Sequence, residues 1–199
     1  MTATFLLIRH AAHIHLDVRL SGRMPGVPLS MAGRSQAAAL ARALARERID
    51  RVLCSPLERA RDTAAAIAAT HDLPAPEPHE PLTEIDMGDW TGAAFGTIHG
   101  PAWVQWNSAR GSARIPGGET MGEAQGRIVG FLRRLASAPD DRTIAVVTHA
   151  DMIRGVVAHA LGLPLDNVLR FDVAPASVSR MVMGDWGARL VSLNEGLAA

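Results

Sequence analysis

Phe5-Leu6-Leu7-Ile8-Arg9-His10 sets four large apolar residues in a row against a guanidinium and an imidazole. An apolar run without polar alternation reads as a strand covered on both faces. Val52-Leu53-Cys54, leading to Ser55, and Thr143-Ile144-Ala145-Val146-Val147-Thr148, leading to His149, read the same way. Segments with helical spacing follow these runs. Ala37, Leu40, Ala43 and Leu44 mark one helix, with Ser30 as its expected N-cap; Leu57, Ala60, Ala64 and Ile67 mark a second. Met121, Ala124, Ile128, Leu132 and Leu135 mark a third, and Met152, Ile153, Val156, Val157 and Ala160 a fourth that ends near Gly162-Leu163-Pro164. Strands alternating with helices predict a three-layer α/β/α sandwich around a mainly parallel sheet. Val178 to Met183 and Arg189 to Leu193, flanking Gly184-Asp185-Trp186-Gly187, predict a hairpin at one side of that sheet.

In an open α/β sheet, ligands bind beyond the carboxyl ends of the strands. Arg9-His10, Ser55 with Arg59, and Thr148-His149 all fall there. Three separate junctions thus bring two arginines and two histidines to one edge. Neutral imidazole is a competent nucleophile near neutral pH, and guanidinium forks grip phosphate oxygens. The combination suits phosphoryl transfer through nitrogen. A leaving alkoxide also needs a proton, which a carboxylic acid can supply; Glu84, Asp86 and Asp89 are all available.

The rest of the composition narrows the alternatives. With 199 residues, a single domain over 1–199 is expected. Net charge is zero with histidine neutral, so nothing marks nucleic acid or a membrane surface as a partner. All 20 basic residues are arginine, which excludes Walker-type phosphate loops and lysine chemistry. The lone Cys54 sits in an apolar run and reads as a buried inert thiol. No leader sequence and no apolar run of membrane-spanning length is evident, so a cytoplasmic protein is expected. The Pro-rich residues 72–82 read as a loop, and the Gly-rich residues 91–118, carrying Trp103 and Trp106, as a lid segment. Arg110 and Arg114 read as solvated loop arginines and Arg127 as a structural ion-pair partner. His10, His13 and His15 with Asp17 raise a metal cluster. On an extended segment, however, His13 and His15 share a face that His10 does not, so both read as pocket-rim residues and no metal is assigned.

Six motifs in order resemble the histidine phosphatase superfamily, the phosphoglycerate mutase-like group. They are Leu7-Ile8-Arg9-His10, Gly22-Arg23 through Gln36-Ala37, Ser55 through Ala64, Glu84 through Gly92, Pro116-Gly117-Gly118-Glu119-Thr120, and Val147-Thr148-His149-Ala150. The resemblance implies that His10 is phosphorylated and that Arg9, Arg59 and His149 bind the phosphoryl group. It selects Glu84 as proton donor and later as the base for water. The implied activity is hydrolysis of a small phosphorylated metabolite, with no metal or nucleotide cofactor. A phosphoglycerate-type mutase using the same phosphohistidine is the alternative, and an inactive phospho-ligand binding module a further one. A homodimer is left open. Ala11 and Ala150 replace common glycines, and Leu16 falls where the family often has a polar side chain. The phosphate contact that this side chain would make is assigned to Ser21 or Arg23.

Overall fold

β1 (Thr2–Arg9) crosses the middle of the sheet, and its side chains explain why. Phe5 and Leu7 enter one hydrophobic cluster, while Leu6 and Ile8 enter another on the opposite face. A strand that is apolar on both faces needs helices on both sides. The computed structural model, which describes residues 2–138 and 141–196, has them there. α1 (Met31–Leu44) and α2 (Glu58–Thr70) cover one face through Leu40, Ala60 and Ile67. α4 (Met121–Ala136) and α5 (Ala150–Leu161) cover the other through Ile128, Leu132, Ile153 and Val157. The architecture is the expected three-layer α/β/α sandwich.

The sheet has six strands in the order β3-β2-β4-β1-β5-β6. β2 (Arg51–Cys54), β3 (Glu77–Pro78) and β4 (Arg142–Thr148) make parallel pairings with one another and with β1. β5 (Val178–Gly184) and β6 (Gly187–Glu195) form the expected hairpin, antiparallel at the β1 side. The sheet is therefore mixed, with the parallel half carrying the three junctions of interest.

Local chemistry fixes the helix starts. Ser30 caps α1 by accepting from the Gly33 backbone N–H at 3.0 Å. Thr120 and Glu123 form a reciprocal capping box at the start of α4. Two stretches hold more order than their composition predicts. Within 72–82, Glu77 and Pro78 add a short edge strand to β2, where a proline costs no interior ladder bond. Within 91–118, α3 (Pro101–Ser108) buries Trp106 against Trp90, which also meets Trp103 edge-on. Among the described residues, no helix is long and apolar enough to cross a membrane.

Candidate active site

Strand register alone assembles the first pair of functional residues. Arg9 on β1 lies beside Thr148 on β4, so the next residues, His10 and His149, leave the sheet together. The His10 N–H donates to the Thr148 carbonyl at 2.9 Å, and the two imidazole rings lie 5.0 Å apart, edge to face. β2 ends one strand further over, where Ser55 donates its N–H to the Val147 carbonyl. Arg59, on the first turn of α2, reaches back across the same edge.

Hydrogen bonds assign the protons on both rings. His10 Nδ1 lies 2.8 Å from the Ala11 carbonyl, which can only accept, so Nδ1 carries the proton. Arg59 Nε–H donates to His10 Nε2 at 3.3 Å, so Nε2 presents its lone pair. A terminal N–H of Arg59 faces His149 Nδ1 at 3.4 Å, making that nitrogen the acceptor. His149 Nε2–H then donates to Ser55 Oγ at 2.8 Å. Burial, reinforced by the Arg59 charge, holds both imidazoles well below their usual pKa, so both are neutral at physiological pH. Burial also pushes Arg59 down to about 10, which leaves it charged at neutral pH.

The nucleophile loop is braced from below. The Ala11 N–H donates to Thr63 Oγ1 and the Ala12 N–H to Gln36 Oε1, at 3.0 and 2.9 Å. Gly33 sits so close that a Cβ there would come within 1.7 Å of the Ala12 carbonyl oxygen. Arg9 is anchored through one terminal N–H to the Val173 carbonyl at 2.7 Å, and its remaining donors are not all engaged.

Glu84 belongs to an irregular segment whose carbonyls have no secondary-structure partners, so side chains hold them instead. Thr148 Oγ1 donates to Leu82 O at 2.6 Å, and Arg127 donates to the carbonyls of Pro81, Thr83 and Glu84. Arg127 also pairs with Glu119, as expected of a structural arginine. Gly88, at φ +45°, lets the chain pass within backbone contact of Pro116 and Gly118. The Glu84 carboxyl, largely buried, accepts the Ile85 N–H and lies 3.9 Å from His149 Nδ1. Burial, with the nearby Asp151 charge, pushes its pKa up to about 7.

Arg9, His10, Arg59, Glu84 and Ser21 line one cavity of about 140 Å³ together with His13, Leu16, Asp17, Arg19 and Phe95. His149 sits immediately behind them, fully buried. Ser21 lines the cavity, with its hydroxyl 3.4 Å from His15 Nδ1. Arg23 is placed elsewhere: its guanidinium bonds the Glu84 carbonyl at 2.8 Å and pairs with Glu119 at 2.9 Å. It supports the Glu84 segment rather than lining the cavity. Arg110 is not solvated either. It is 7% exposed, stacked over Trp106 and paired with Asp151 at 3.2 Å. Asp151, missed from sequence, also pairs with Arg154; burial opposes its charge, but the two arginines outweigh it and hold its pKa low. Its one signal was an acidic residue in an otherwise apolar helix start. Among the described residues, no group of three His, Cys, Asp or Glu side chains is arranged to hold a metal.

A family model described as the histidine phosphatase superfamily (branch 1) matches residues 5–196. Phosphoserine phosphatase 1 of Hydrogenobacter thermophilus is 29% identical over 195 residues, covering 95% of this chain and 90% of its own. The adenosylcobalamin/alpha-ribazole phosphatase of Escherichia coli is 30% identical over 201 residues, covering 96% and 91%. A mycobacterial glucosyl-3-phosphoglycerate phosphatase, solved in complex with VO3, superposes with a TM-score of 0.85 at 26% identity, covering 97% and 99%.

Proposed function

The chain belongs to the histidine phosphatase superfamily (branch 1), and on that premise we propose that it hydrolyses a small phosphomonoester through a phosphohistidine on His10. The observation that carries the reading is the pair of hydrogen bonds at the two ring nitrogens of His10. Its Nδ1–H is tied to the Ala11 carbonyl, leaving the Nε2 lone pair at the cavity beside two guanidinium groups.

In the first step Nε2 of His10 attacks phosphorus in line, and the bond from phosphorus to the ester oxygen breaks. Arg9 and Arg59 bind the phosphoryl oxygens and offset their charge. In the free protein His149, neutral and behind Arg59, holds that guanidinium through the Nδ1 lone pair; a proton shifted from Nε2 to Nδ1 would end that bond and offer a donor to the phosphoryl group instead. Glu84, protonated up to about pH 7, gives its proton to the departing alkoxide. In the second step water attacks phosphorus, Glu84 takes a proton from it, and the P–N bond breaks to restore His10. Positioning and electrostatics supply most of the acceleration in such transfers.

The relatives' named activities, on phosphoserine, alpha-ribazole and glucosyl-3-phosphoglycerate phosphates, define the first substrates to screen. The reading includes a cytoplasmic location and residues 91–118 as the segment over the cleft. A homodimer is tested by light scattering. The decisive assay is release of phosphate from an aryl phosphate, insensitive to chelator, with an acid-labile, alkali-stable phosphoprotein trapped during turnover. His10→Ala must abolish both. Chelator-sensitive activity surviving His10→Ala would falsify the mechanism, and isomerisation of phosphoglycerate outpacing phosphate release would make the protein a mutase.

A further inference from the structure

The segment after the nucleophile carries the largest departure from the family pattern, with Leu16 where a polar side chain is expected. It folds into a compact turn over 14–18, entered by a bridge between His13 and Leu29 and left by one between Arg19 and Ala94. The bridge to Leu29 fixes the backbone of His13 beside the start of α1. The His13 side chain is then buried, and its ring lies 5.3 Å from that of His10. It lines the same cavity as Arg9, His10 and Arg59.

The backbone N–H of His15 donates to His13 Nδ1 at 3.2 Å. An N–H can only donate, so Nδ1 is unprotonated and the neutral ring carries its proton on Nε2. That Nε2–H has no hydrogen-bond acceptor among the described residues. It is not among the side-chain nitrogens shut off from solvent, so from an otherwise buried ring it opens on the cavity and can give its hydrogen bond to a bound group. Three guanidinium groups, of Arg9, Arg19 and Arg59, share its cavity against the two carboxyls of Asp17 and Glu84, a balance that favours an anionic acceptor there.

We propose that His13 is a phosphoryl-binding residue whose Nε2–H donates to an oxygen of the transferring group. It supplies the polar group that Leu16 cannot, in preference to Ser21 or Arg23. Ser21 lies against His15, and Arg23 is spent on Glu84 and Glu119. Only the identity of the anion rests on the phosphatase reading. Burial and the Arg59 charge lower the His13 pKa to about 4, so the ring enters the complex as a neutral donor.

Inorganic phosphate binding, followed by calorimetry, tests this without requiring turnover. His13→Phe keeps a ring but removes the donor, and phosphate should bind roughly tenfold to a hundredfold more weakly, as for loss of a hydrogen bond to a charged group. His13→Gln keeps an N–H near the Nε2 position and should recover most of that affinity. In the wild-type protein, phosphate should shift the NMR resonance of His13 Nε2, a measurement that stands even if a variant fails to fold. Equal phosphate affinity in wild type and His13→Phe overturns the proposal. So do equally weakened Phe and Gln variants, or an Nε2 resonance that phosphate leaves unmoved. Failure of the phosphatase reading shows differently, as phosphate binding without hydrolysis of any monoester.

Discussion

Arg59 donates its Nε–H to the Nε2 of His10 at 3.3 Å, so the arginine that would bind the substrate occupies the nucleophile's lone pair in the free protein. An arriving phosphoryl oxygen competes for that N–H, and winning it frees Nε2 for attack. Substrate binding and nucleophile release are thereby one exchange of a hydrogen bond.

Arg59→Lys tests the exchange. Lysine keeps the charge but cannot bond His10, the Gly22 carbonyl and the phosphoryl group from one rigid fork. A loss of kcat/KM of roughly a hundredfold or more is expected, about the scale of removing one preorganised donor to the transition state. Near-normal kcat/KM in the lysine variant would mean that charge alone suffices.

Glu84 sets the pH dependence. Its pKa of about 7 makes it a proton donor below that pH and a carboxylate above. The value of kcat/KM for an alkyl phosphate should therefore fall as pH rises through 7. His10 stays neutral well below its usual pKa and contributes no break near 6.5. Glu84→Gln should remove the alkaline limb and lower kcat by about 10²–10⁴, with a smaller loss on aryl phosphates, which leave without help. Ionisation of the substrate is common to both proteins and cancels in the comparison. An alkaline limb that persists in the glutamine variant assigns the acid role elsewhere.

Stability carries the same groups with competing signs. The lowered folded-state pKa of His10, His13 and His149 means their contribution is present above the unfolded value near 6.5 and lost as pH falls. Glu84, raised in the folded state, acts oppositely: its contribution is full below about 4.5 and lost as pH rises through about 7. Three imidazoles outweigh one carboxyl, so unfolding should take up protons between pH 6.5 and 5. The thermal midpoint should drop across that interval; a midpoint that holds or rises contradicts the burial assigned to these rings.

Gly33→Ala probes the floor of the site. A Cβ at 1.7 Å from the Ala12 carbonyl oxygen cannot be accommodated by rotating a side chain, because both partners are backbone. Destabilisation of about 1–3 kcal/mol is expected in denaturant unfolding, together with lower activity as the residues after His10 shift. An alanine variant as stable and active as wild type would show that α1 and the nucleophile loop separate easily.

The parts of this molecule that follow short-range rules were legible in its sequence. Phe5 to Ile8 and Ile144 to Val147 declare two-sided burial, Ser30 declares a helix start, and three strand ends deliver Arg9, His10, Arg59 and His149 to one edge. What escaped depends on partners far along the chain. Arg110 is buried because Asp151, 41 residues on, pairs with it, and Arg23 turns from the cavity because Glu119 and the Glu84 carbonyl draw it. The orientation of His13 required knowing that Leu29 would bridge to it.

The mouth of the cleft joins two distant stretches mostly by main-chain bonds: Leu20 N–H to Ala93 O, Gly92 N–H to Leu20 O, and Phe95 N–H to Val18 O, with the Arg19 guanidinium adding a bond to the Gly92 carbonyl at 3.1 Å. Such a seam takes its strength from backbone geometry and is indifferent to most side chains on either strip. Residues 14–20 and 92–95 can therefore diversify in composition while remaining one mechanical unit, provided both keep their length. Exchanging either strip alone with a relative of different length would break the seam, whereas transplanting both together should keep it intact.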